Sequence, residues 1–92
     1  MRFGSEDRLS RVQNMLSTEL DQETVLMSID AGAYYGLEGP AQRIWEILET
    51  PLSFSALVDR LVEEYQVSPE TCAADLERFL GEMEREGILR VE

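Results

Sequence analysis

Glu23-Thr-Val-Leu-Met-Ser-Ile29, then Asp30-Ala-Gly32 and Ala33-Tyr-Tyr-Gly-Leu37, decide the fold of this chain. Val25, Met27 and Ile29 alternate with Leu26, Ser28 and Asp30, which is the period of a half-buried strand. Asp30-Ala31-Gly32 supplies turn chemistry: a short acidic side chain and a glycine able to take positive φ. Ala33 to Leu37 reads as a short returning strand. Upstream, Val12, Leu16 and Leu20 are spaced for one helix face, yet Leu16 to Leu20 also alternates and Asp21-Gln-Glu23 looks like a turn. A strand is the preferred reading. Hairpin connections then make a three-stranded antiparallel meander the simplest topology.

Three helical patterns follow. Pro40 suits a first helical turn, where its missing N–H costs little. Ala41, Ile44, Trp45 and Leu48 recur at helical spacing before Thr50-Pro51 ends the segment. Ser53 caps a second helix striped by Phe54, Leu57, Val58, Leu61, Val62 and Tyr65. Ser68-Pro69-Glu70 opens a third with an N-cap, a helix-compatible proline and a first-turn acid. Its apolar face is Cys72, Leu76, Phe79, Leu80 and Met83, and Gly87 is placed as its C′ residue. Ile88 to Val91 is a short apolar tail that closes the core. Residues 1–11 are polar and read as a flexible N-terminal arm; residues 12–92 read as a single domain. The expected fold class is α+β: a three-stranded antiparallel sheet followed by three helices, arranged as a winged helix-turn-helix.

Composition narrows the chemistry. The formal net charge is −11, all eight basic residues are Arg, and there is no His. Such a chain repels phosphate backbones and anionic lipid surfaces, so neither nucleic acid nor membrane is an expected partner. The single Cys72 leaves no internal disulfide, and the N-terminus lacks a signal-like apolar core. No apolar run approaches the ~18–20 residues of a membrane span. The expected location is the cytoplasm.

Catalysis is not expected. Without His there is no imidazole base, and one Cys among scattered carboxylates makes no zinc site. Neither a glycine-rich phosphate loop nor a nucleophile elbow occurs. No metal or cofactor is expected. Asp59 with Glu63 and Glu82 with Glu86 sit at helical spacing and read as solvated faces. Cys72 has no neighbouring His or Lys to lower its pKa and reads as a small core residue. A DNA-reading helix needs cations, but Ser68 to Glu86 holds six acids against Arg78 and Arg85. An acyl carrier protein would need an Asp-Ser-Leu tripeptide, which is absent.

The ordered set Val25-Leu-Met-Ser-Ile-Asp30, Gly32 to Leu37, Ile44-Trp45 with Leu48, and Leu57 to Tyr65 with Val67 carries a family resemblance. Val67-Ser-Pro-Glu70, Asp75-Leu76, Phe79-Leu80 and Gly87-Ile-Leu89 complete it. The stretch from Val25 to Val91 resembles the PqqD family, the RiPP recognition elements that act as precursor-peptide chaperones. It is most similar to the stand-alone members of lasso-peptide pathways. One departure is Glu38, where the family often has Asn; Gly39-Pro40 is placed to compensate at the helix cap. The resemblance implies a winged helix-turn-helix that does not bind DNA. It further implies that a precursor's leader segment adds as an antiparallel strand to the third strand and drops side chains into a groove beside the third helix. The partners implied are that leader peptide, a leader peptidase and a cyclase. Leaders of the lasso group commonly show a Tyr, Pro, Leu pattern.

The residues support the same surface. In a meander the third strand has one neighbour, so its other edge offers unpaired N–H and C=O groups for strand addition. About four ladder bonds contribute roughly 4 kcal/mol, which ordering of about five peptide residues cancels. Affinity must come from apolar anchors at roughly 1.5–3 kcal/mol each. The candidate peptide-binding residues are Ala33, Tyr34, Tyr35, Gly36 and Leu37 on the strand. On the third helix they are Asp75, Leu76, Arg78, Phe79 and Glu82. Tyr34 or Tyr35, with Leu76 and Phe79, are the expected groove walls. Residues 16–38 contain five acids and no base, a field expected to attract basic residues of a leader. Two other classes stay open at this point: a winged-helix transcriptional regulator, and a protein that only scaffolds the modifying enzymes.

Overall fold

Thr24 and Leu26 point inward and are fully buried, while Val25 and Met27 lie half-buried on the opposite face. The strand period therefore resolves in the computed structural model as β3 (Glu23–Ser28), the centre of a meander with β2 (Met15–Leu20) and β4 (Ala33–Glu38). The structure describes residues 3–13, 15–30 and 32–92; Ala31, in the expected turn, lies outside them. Leu16 pairs with Met27 and Met27 with Tyr34; Leu26 pairs with Tyr35 and Thr24 with Leu37. Gly32, at φ +65°, closes the β3–β4 turn, and its N–H donates to the Ser28 carbonyl at 2.9 Å.

The three helices are α1 (Pro40–Ile47), α2 (Phe54–Tyr65) and α3 (Pro69–Arg85). Ser53 Oγ accepts from the Ala56 N–H and Ser68 Oγ from the Thr71 N–H, each at 3.2 Å, capping α2 and α3. At α1 the N-cap is Gly39, at φ +61° and with no side-chain bond; Pro40 follows at the first turn. Gly87, at φ +78°, ends α3. Gln42 donates through Nε2 to the buried Thr24 hydroxyl at 2.9 Å, which satisfies that hydroxyl and ties α1 to β3.

Two expectations are corrected. The architecture is α+β with three helices and two three-stranded antiparallel sheets, not one. The second sheet runs β5–β1–β6, with β1 at Arg8–Arg11, β5 at Leu52–Ser53 and β6 at Leu89–Val91. Residues 3–11 are not a loose arm. β1 is that sheet's central strand, Leu9 is fully buried, and Phe3 stacks on Phe54 with ring centroids 5.8 Å apart. A four-residue strand among polar neighbours shows too little alternation to be read. It is held by its partners: Leu9 pairs with Leu52 and Val91. The Ile88–Val91 tail does close the core, with Ile88 and Leu89 buried. Arg11 lies 4.3 Å from the buried Trp45 ring and donates through Nε to the Trp45 carbonyl at 2.9 Å.

Gln66 ends α2 in the left-handed region at φ 54° and ψ 48°. This conformation costs a non-glycine residue ~1–2 kcal/mol, partly offset because Gly loses more chain entropy on folding. Gln66→Gly is expected to stabilise the fold by roughly 0.5 kcal/mol. A urea midpoint that falls instead would show that the glutamine side chain makes a contact worth more than its backbone strain.

Candidate peptide-binding groove

Leu76 and Phe79 share one face of α3. Leu76 is buried in the core cluster, and Phe79 is half-buried against it. Both line a groove of about 460 Å3. The α3 wall also carries Cys72, Asp75, Arg78 and Glu82. The facing wall comes from Pro40, Ala41 and Ile44 of α1, and from Leu61, Tyr65 and Val67 at the end of α2 and the turn beyond it. The left-handed Gln66 lies between Tyr65 and Val67, two partly exposed apolar side chains at the groove.

The structure thus brings together all five third-helix residues named from the sequence. It does not bring the five strand residues into the groove. Ala33, Tyr35 and Leu37 face inward from β4, whereas Tyr34 is 73% exposed on the other face. Tyr35 reaches α3 through its hydroxyl, which donates to the Glu86 carbonyl at 3.3 Å. The expected tyrosine wall is therefore replaced by α1 and α2. Pro40, Ala41, Ile44, Leu61, Tyr65, Val67 and Cys72 were not assigned to the groove, because periodicity marks an apolar stripe without saying whether it meets core or open groove.

Along its free side β4 has no strand partner among the described residues. A Cβ at Gly36 would meet the Glu23 carboxylate, 2.8 Å away, and nothing else within 4 Å. That carboxylate is the far end of a flexible side chain. The glycine thus thins the outer face of the meander more than it opens the groove.

Charge at the groove is confined to one rim. Arg78 donates to Asp75 at 3.2 Å, an exposed pair. The Glu82 carboxylate is exposed and makes no hydrogen bond or ion pair among the described residues. Away from the groove, Arg43 joins α1 to α2 by donating to Glu64 at 2.8 Å, which lowers the Glu64 carboxyl's pKa. Burial, and then the nearby Asp75 charge, push the Cys72 thiol above its ordinary pKa. The stability this contributes is present at neutral pH and is lost as pH rises through the raised value. Cys72 is expected to react with a thiol reagent at pH 7 far more slowly than the unfolded chain does. A rate equal to the unfolded one would show an open thiol.

Groups of three or more potential metal ligands are absent among the described residues. No helix among them is long and apolar enough to cross a membrane.

An open strand edge beside an apolar groove fits the family implied by the sequence. Residues 23–89 match the family model described as coenzyme PQQ synthesis protein D, PqqD, and the chain belongs to that family. The solved structure of TbiB1 in complex with the TbiA(beta) leader peptide is similar, with a TM-score of 0.82 and 31% identity. The match covers 88% of this chain and 94% of TbiB1. No curated protein matches the chain.

Proposed function

We propose that this protein is a non-catalytic module that captures the leader segment of a ribosomally made precursor peptide and presents it to modifying enzymes. The leader adds as a strand to the free edge of β4, and its apolar side chains occupy the groove against α3. The carrying observation is the pairing of that edge with the apolar groove, in a chain related to one solved with a leader peptide bound. The strand residues Ala33 to Leu37 supply the register. Asp75, Leu76, Arg78, Phe79 and Glu82 supply the contacts. The three-residue turn from α2 to α3 supports reading the helices as a winged helix-turn-helix. The acids of α3 disfavour a DNA groove as its target.

Presentation to a leader peptidase, and to a cyclase, is supported by the outer face of the meander. Register aligns Leu16, Met27 and Tyr34 in one cross-strand row there, and Leu20 lies on the same face. Leu16, Leu20 and Tyr34 are each more than half exposed. The cytoplasm is the compartment in which a ribosomal precursor would be met.

Calorimetry with a synthetic leader peptide tests the reading. Binding is expected with a negative heat-capacity change from apolar burial. Phe79→Ala is expected to weaken it roughly ten- to a hundredfold, the loss of one anchor. Absence of heat for the wild type would sink the proposal; an unchanged affinity in Phe79→Ala would move the site off α3.

A further inference from the structure

Resting on that reading, we infer that the groove selects its peptide by an ordered pattern: apolar anchors first, then a basic residue read by Glu82. The groove has two unlike ends. The α2–α3 turn puts Tyr65 and Val67 beside the N-terminal end of α3, where Cys72 also faces the groove. Glu82 lies ten residues further along α3, about 15 Å away at ~1.5 Å per residue. Asp75 is neutralised by Arg78, which leaves the Glu82 carboxylate as the unpaired charge on the rim.

The direction follows from β4. The Tyr35 hydroxyl ties the middle of this strand to Glu86, one turn beyond Glu82. From there β4 runs toward Pro40, which already lines the groove. A segment added antiparallel runs the other way. Its N-terminal residues lie over the apolar end and its later residues pass Glu82. Fifteen ångströms of extended chain is about four to five residues at ~3.3 Å each. The preferred peptide therefore carries Lys or Arg about four to five positions after the apolar anchor seated at the Tyr65, Val67 and Cys72 end of the groove.

A displayed library of random 14-residue peptides selected on the whole protein tests this. Enriched peptides are expected to show one or two large apolar residues followed at that spacing by Lys or Arg. For a purified enriched peptide, Glu82→Gln is expected to weaken binding about three- to tenfold. Glu82→Lys should favour the same peptide with Glu in place of the basic residue. Glu84→Lys, the same charge change away from the groove, should leave the preference intact. Peptides whose binding needs Phe79 but which lack the basic residue would overturn the inference and leave peptide capture standing. So would a preference that Glu84→Lys alters as much as Glu82→Lys does. If no enriched peptide depends on Phe79, both readings fall.

Discussion

Removal of residues 3–11 is expected to unfold the protein. These residues contribute β1, the strand that joins β5 to β6. The Arg8 N–H donates to the Glu92 carbonyl and the Glu92 N–H to the Arg8 carbonyl, at 3.0 and 2.9 Å. The Phe54 N–H donates to the Asp7 carbonyl at 2.9 Å. Deletion would expose β5 and β6 and empty the sites of Leu9 and Phe3. Leu9→Ala alone is expected to cost ~2–5 kcal/mol, because its site is closed on all sides. Loss of the Phe3 ring adds a similar amount. A domain of this size has roughly 5–15 kcal/mol in total. Denaturant unfolding monitored at Trp45 checks this. A truncated chain that still unfolds cooperatively, within about 1 kcal/mol of the intact one, would show that the second sheet is ornamental.

Proline substitution at Tyr34 and Tyr35, one at a time, is expected to separate peptide capture from folding. In an antiparallel ladder backbone groups point alternately to the two sides, so one of these N–H groups faces β3 and the other the free edge. Proline removes the donor in either case. The inward substitution should cost stability, and the outward one should abolish detectable leader binding in a protein that remains folded. Calorimetry paired with circular dichroism reads both. If neither variant loses leader affinity while folded, the strand edge is not where the peptide adds.

The two sheets differ in how they could be read. The meander was legible at β3 and β4, through alternation in Val25–Ser28, turn residues at Asp30–Gly32 and two adjacent tyrosines that must point to opposite faces, whereas Val12, Leu16 and Leu20 of the β2 region also fit one face of a helix. The choice between those tyrosines was not legible, since alternation says that one faces inward and not which. Helix caps at Ser53 and Ser68 were legible as local chemistry. The second sheet was not, because β1, β5 and β6 are two to four residues long and acquire strand geometry only by pairing across the whole chain.

The candidate groove divides in the same way. The α3 face from Asp75 to Glu82 could be named from helical spacing and family resemblance. The opposing wall of Pro40, Ala41, Ile44, Tyr65 and Val67 depends on how α1 and α2 pack around α3. The sequence by itself determined the meander, the three helices and the serine caps of two of them, the acidity of the chain, and the family to which its ordered motifs point. Only the tertiary structure decided that residues 3–11 belong to the core, and that the groove lies among three helices beside β4. Spacing along a chain encodes which side chains share a face. It does not encode which faces meet and which stay apart, because that depends on contacts between residues far separated in sequence.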